Sequence, residues 1–191
     1  MKRYNTTAIL ALAVLIAACA SMSQSERTKK QADIRQATQT TLGKFYEADP
    51  KLRDEVANAP GYAVFTTYGA SLVVGGAGGK GIAHDNRTNK DTFMDMAQAS
   101  AGLQIGASES ETLIIFKTTK AMGEFVDKGW EVGAGGSAQA GAGGESVGGA
   151  GGTNVIADAS YYTLTKNGLQ AGGALAGTKF WKSSDLNESV A

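Results

Sequence analysis

The chain reads as an α+β domain, with N-terminal helices followed by a glycine-rich, mostly antiparallel β-sheet that can curl toward a barrel. Three observations predict this. Apolar residues recur at helical spacing in the early part of the chain, up to about Asn58. Beyond Gly61 the period shortens to runs of β-branched and aromatic residues. Glycine, 26 residues in all, falls in that second part with the sole exception of Gly43. Helices grouped ahead of strands favour an antiparallel sheet over alternating βαβ units.

Taken in order, residues 1–18 read as a leader and 19–30 as a polar, flexible tether. The helical pattern sets in at Glu26 and runs to Ala48, carried by Ile34, Ala37, Thr41, Phe45 and Ala48 with Leu42 widening the stripe. Asp49-Pro50 stops it and starts a short helix at Lys51, since proline suits a first turn. Asn58-Ala59-Pro60-Gly61 ends that one. Strands are expected at Tyr62–Thr66, Ser71–Val74 and Thr112–Phe116, and Asp85–Asn89 reads as a polar turn between two strands. Thr118–Lys128 is a helix with Thr119 as its expected cap and Met122, Phe125 and Val126 on one face. Val155–Ala159, Tyr161–Thr165 and Leu169–Leu175 read as further strands. The Gly/Ala/Ser tract is expected to hold a strand near Val132–Gln139 and a mobile loop over 141–152. Core candidates are Val64, Phe65, Val73, Leu113, Ile115, Phe116, Phe125, Trp130, Tyr162 and Leu169. Residues 31–191 thus form one domain.

Charge and composition exclude several functions. The 18 basic and 18 acidic residues balance, and two of the basic ones, Lys2 and Arg3, lie in the leader. The remaining, slightly acidic chain is a poor nucleic-acid binder, because such binding neutralises many phosphates. Gly76-Ala77-Gly78-Gly79-Lys80-Gly81 contains a GxGxxG, but a dinucleotide site needs a helix opening there to hold the pyrophosphate. Ile82-Ala83-His84-Asp85-Asn86 follows instead, a strand and a turn. The P-loop pattern also fails, with Val74 at the first glycine position and Gly81 at the magnesium-binding Ser/Thr. One histidine, His84, and one cysteine, Cys19, cannot build a transition-metal cluster. His84 before a turn reads as a surface residue, and Asp91, Asp95, Glu109 and Glu111 read as solvated. No catalytic constellation emerges; the expectation is a non-enzyme without cofactor or metal.

Ile16-Ala17-Ala18-Cys19 carries the most specific chemistry. A charged start, an apolar run from Ala8 to Ala18 and small residues before the cysteine describe a secretory signal. The run is well short of the roughly 20 residues that span a bilayer as a helix. The stretch resembles a bacterial lipobox, in which the thiol is acylated, typically including palmitate, and cleavage leaves the cysteine first. An ordinary signal with a stray thiol is the alternative, but a lone secreted thiol lacks a disulfide partner and lipidation accounts for it. Ala20 in place of Asp resembles lipoproteins sorted to the outer membrane, facing the periplasm of a bacterial envelope.

The order of motifs from Leu52 to Phe180 is similar to the SYLF domain. The matching pieces are Ala59-Pro60-Gly61-Tyr62-Ala63-Val64-Phe65, then Val74-Gly75-Gly76-Ala77-Gly78-Gly79-Lys80-Gly81 and Ala101-Gly102-Leu103-Gln104-Ile105-Gly106-Ala107. The Leu113–Phe116 strand, the helix ending near Phe125 and Ser160–Gly172 complete the set; residues 141–152 are longer and more glycine-rich than the family's loop. The resemblance implies binding to phospholipid membranes, with anionic headgroups as the bacterial counterpart of phosphoinositides, and actin is not expected as a partner in an envelope. The residues that fit are Lys80 beside the glycines and Lys179-Phe180-Trp181-Lys182, an aromatic-basic cluster suited to a headgroup boundary, with Lys29, Lys30, Arg35 and Lys44 as further cations. The same Phe180 and Trp181 could instead seal the core, and the lysines could be solvated. The alternative function is a structural or protein-interaction module of the envelope, touching the membrane through its anchor alone.

Overall fold

A computed structural model of the protein describes residues 22–67, 76–99, 110–132, 138–140, 146–147, 155–156, 158–165, 168–171 and 177–188. The first helix, α1 (Gln24–Ala48), starts from a capping box: the Ser23 hydroxyl accepts from the Glu26 backbone N–H, and the Glu26 carboxylate accepts from the Ser23 N–H. The helix therefore starts two residues before the expected Glu26 and takes up Gln24–Lys30 from the stretch 19–30 expected as a tether. Its second half buries Thr38, Thr41 and Phe45, and α2 (Lys51–Asn58) follows across Pro50.

Eleven strands are described, all paired antiparallel: β1 (Gly61–Thr67), β2 (Gly76–Asp85), β3 (Lys90–Ala99), β4 (Glu111–Phe116), β5 (Trp130–Val132), β6 (Ala138–Ala140), β7 (Ser146–Val147), β8 (Val155–Ile156), β9 (Ala159–Thr165), β10 (Gly168–Ala171) and β11 (Thr178–Lys182). Their order is β10-β9-β4-β1-β2-β3-β11-β5-β6-β7, with β8 on β9. Helix α3 (Thr119–Lys128) lies between β4 and β5, capped by Thr118 rather than Thr119, since the Thr118 hydroxyl accepts from the Ala121 N–H at 3.2 Å. A final turn of helix, α4 (Ser184–Asn187), follows β11. The expected strand at Ser71–Val74, the core candidate Val73 and most of the 141–152 loop lie outside the described residues; within that loop Ser146–Val147 is strand.

The sheet curls, and the aromatic core shows by how much. Phe116 on β4 and Trp130 on β5 are five strand steps apart in the sheet order. A flat sheet would separate them by about 24 Å at ~4.8 Å per step, yet their ring centroids are 5.7 Å apart. The inner face wraps α3, whose fully buried Phe125 meets Phe65, Phe116, Trp130 and Phe180 at 5.1–6.2 Å. Alternation sends the neighbouring residues outward. Val64, Leu113 and Ile115 pack under Phe45, Leu52 and Val56 of α1 and α2, with Tyr162 and Leu169 half-buried at the margin. Ile82 and Phe93 pack with Ile34 and Leu186.

Two glycines make this closeness possible. A β-carbon on Gly81 would collide with the Val64 carbonyl and the Phe65 ring on the neighbouring strand. Gly129 ends α3 at a φ of 71°, where a β-carbon would also collide with the Phe180 carbonyl, so both the positive φ and the missing side chain call for glycine.

Candidate functional site

Lys80, expected beside the glycines as a headgroup contact, lies within one continuous strand, Gly76–Asp85. Its register aligns a ladder across the outer face. Glu111 on β4 faces Thr66 on β1, Thr66 faces Lys80 on β2, Lys80 faces Asp95 on β3, and Asp95 faces Trp181 on β11. Helix α1 covers the first part of it: Thr41 hydrogen-bonds Thr66 and Glu111, both at 3.1 Å, and the Lys44 ammonium meets Glu111 at 2.5 Å. Lys80 donates to Asp95 at 2.5 Å, their side chains 43% and 20% exposed. Trp181, 38% exposed, is the exposed large hydrophobic residue among the described ones.

One position along, Ala97 on β3 faces Lys179 on β11, which faces Glu131 on β5, with the Lys179 ammonium 3.8 Å from the Glu131 carboxylate. The Lys179-Phe180-Trp181-Lys182 cluster is therefore split by the strand. Lys179 and Trp181 share the outer face. Phe180 points inward, 1% exposed and 4.8 Å from the Phe65 ring, which removes it from any surface site. Lys182 is exposed at the strand end, on the Phe180 side of the pleat.

The remaining cations are placed differently. Lys29 and Lys30 are exposed on α1. Arg35 stacks on the Phe93 ring at 4.9 Å and donates to Asp91 at 2.9 Å. The other Asp91 oxygen lies 2.7 Å from His84 Nδ1, and Tyr62 covers the imidazole with ring centroids 5.2 Å apart. His84 is thus half-buried rather than a free surface residue, and Asp91, read as solvated, is the hub of a clamp joining α1 to the β2–β3 hairpin. Burial by itself would raise the Asp91 pKa; the hydrogen bonds and positive charge of His84 and Arg35 outweigh it and hold the carboxyl below its ordinary value. Burial, with Tyr46 and Asp91 nearby, pushes the Tyr62 phenol up to about 12. A His-carboxylate pair is also part of a general-base arrangement, but here the second carboxylate oxygen is taken by Arg35, which fits a tie between elements.

Glu111 was also read as solvated; it is buried beneath Thr41 and Lys44. The outer strip from Lys80 to Glu131 was missed as a unit, although strand alternation applied to 178–182 would have separated Trp181 from Phe180. Among the described residues no group of three metal-ligating side chains occurs, and no helix is long and apolar enough to cross a membrane. Cys19 lies outside the described residues.

Residues 97–190 match the Ysc84 family, described as "Las17-binding protein actin regulator". The chain is also similar to beta cell expansion factor A of Aeromonas veronii, 30% identical over 165 residues that make up 85% of this chain and 62% of that protein. The chain thus spans less than two thirds of that relative's length.

Proposed function

Residues 97–190 place the chain in the Ysc84 (SYLF) family, and from that premise we propose that it is a membrane-binding lipoprotein of a bacterial envelope, acylated at Cys19, whose domain engages phospholipid through its outer sheet face. The observation that carries this reading is Trp181. An exposed indole beside Lys179 and near Lys182 suits a bilayer interface, where amphipathic rings sit at headgroup level. Anionic lipid would strengthen binding through these cations, each worth about 1 kcal/mol beside a charged surface. Covalent geometry supports the same orientation. Cys19 precedes the Ser23 cap by four residues, a reach of at most about 14 Å. That cap begins the turns of α1 that α4 rests against, through Arg27 to Glu188 at 3.0 Å and Gln31 to the Leu186 carbonyl at 2.8 Å. Because β11 leads directly into α4, an anchor at Cys19 would hold this region close to the bilayer. The outer membrane, periplasmic side, is the site we propose. The domain binds rather than catalyses, and neither actin nor nucleic acid is a partner in this reading.

The pairing of Lys80 with Asp95 and Lys179 with Glu131 favours a second reading, an envelope protein-interaction module that leaves membrane contact to the anchor. Vesicle sedimentation separates the two. The acyl-free chain from Ala20 to Ala191 retains every core residue described above. Binding that rises with anionic lipid, falls with salt and weakens in Lys179→Glu/Lys182→Glu supports direct lipid contact. No sedimentation with any lipid composition leaves the interaction module.

A further inference from the structure

We infer that Asp95, Trp181 and Lys80 form a subsite for the phosphoethanolamine headgroup of a zwitterionic phospholipid. The inference rests on the membrane reading above and gives it a headgroup chemistry. The three residues are consecutive rungs of one ladder on β2, β3 and β11, all on the outer face and each at least partly exposed. Lys80 supplies ammonium N–H donors for phosphate oxygens. Asp95 spends one oxygen on Lys80 at 2.5 Å and, still partly exposed, has acceptor capacity left for the N–H groups of a primary ammonium. Trp181, directly across from Asp95, adds an exposed indole beside the same cation, a side chain able to make a cation–π contact. The two carbons between phosphate and ammonium span about one strand step, ~4.8 Å, so a headgroup lying along the ladder meets an opposite charge at each end.

Charge alternation argues against two competing headgroups. A purely anionic headgroup satisfies Lys80 but sets Asp95 against a like charge. A choline headgroup can use Trp181 but carries no N–H for Asp95 to accept. Of the headgroup types compared, ethanolamine satisfies all three residues. Anionic lipid then acts at longer range, through Lys179 and Lys182, while ethanolamine supplies the contact.

The test uses the acyl-free chain from Ala20 and vesicles at one fixed anionic fraction, with the balance changed from phosphatidylcholine to phosphatidylethanolamine. The expected result is about tenfold tighter binding with ethanolamine, the scale of one charge-assisted hydrogen bond. Asp95→Asn should abolish that gain while the rise with anionic lipid persists, and Trp181→Ala should weaken binding to every composition. Equal binding to the two zwitterionic lipids overturns the subsite and leaves the membrane reading standing. If no vesicle binds, the membrane reading fails, and soluble glycerophosphoethanolamine still decides the subsite. It should shift the Trp181 indole N–H resonance at lower concentration than glycerophosphocholine does; equal or absent shifts refute it.

Discussion

Replacing Phe125 with alanine tests whether the sheet closes around α3 as described. Phe125 is fully buried and lies within 5.1–6.2 Å, centroid to centroid, of Phe65, Phe116, Trp130 and Phe180. These four partners come from four strands, β1, β4, β5 and β11, so none can follow the retreating side chain without moving its strand. The void should stay largely open, which puts the loss near the upper part of the usual range for a buried Phe→Ala, about 3–5 kcal/mol. That is a large share of the roughly 5–15 kcal/mol that holds a domain together. Urea unfolding followed by circular dichroism measures the loss, and the melting temperature should fall by about 10 °C. Fluorescence supplies a second readout, because Trp130 edges against Phe125 at 80° between ring planes. In the variant the Trp130 emission should shift to the red and quench more readily with acrylamide. A loss under about 1 kcal/mol, with Trp130 emission unchanged, would mean that α3 does not fill the curl of the sheet.

Three further outcomes are expected. A β-carbon at Gly43 in α1 or Gly123 in α3 meets nothing within 4 Å, so Gly43→Ala and Gly123→Ala should each raise stability by about 0.5–1 kcal/mol in thermal melts, whereas Gly81→Ala should lower it by more than that because Val64 and Phe65 stand in the way. Asp91 has a depressed carboxyl pKa when folded, so its contribution is present above the ordinary carboxylate value of about 4 and is lost as pH falls below that; Arg35→Ala should move the acid-unfolding midpoint to higher pH, and an unmoved midpoint counts against the clamp. Burial, reinforced at Tyr162 by its hydrogen bond to Glu55, pushes Tyr62 and Tyr162 up to about 12, so the stability they lend the folded chain is lost between about pH 10 and 12, and absorbance titration should show these two phenols ionising well above the ordinary phenol value or on unfolding.

Much of the fold was legible in the sequence because its signals are local. The apolar runs at Tyr62–Thr66 and Thr112–Phe116, the Pro50 break and the Asp85–Asn89 turn each carry their own stereochemistry, and each stands where it was expected. The start of α1 was also written locally, in Ser23 and Glu26, but the tether reading passed over that capping box. The glycine tracts were harder, since composition suits a loop while the requirement for glycine at Gly81 comes from Val64 and Phe65 on another strand. The His84–Asp91 pair needed the hairpin register: with the turn at 86–89, Asp85 faces Lys90, and His84 must then face Asp91. The Asp95–Trp181 rung joins strands 86 positions apart in the chain, and no local pattern announces it.

The pleat of β11 separates what holds the domain together from what it offers outside. Phe180 is committed to the aromatic core, and its neighbour Trp181, one residue on, takes no part in any of the three buried clusters. Strand alternation makes that division sharp: a substitution at Trp181 changes the outer ladder without opening a cavity, whereas one at Phe180 opens the core without touching the ladder directly. Trp181 keeps 38% of its surface exposed and faces Asp95 across the rung. In the membrane reading proposed above, a bilayer interface suits an exposed indole that shares its face with Lys179 and faces a carboxylate.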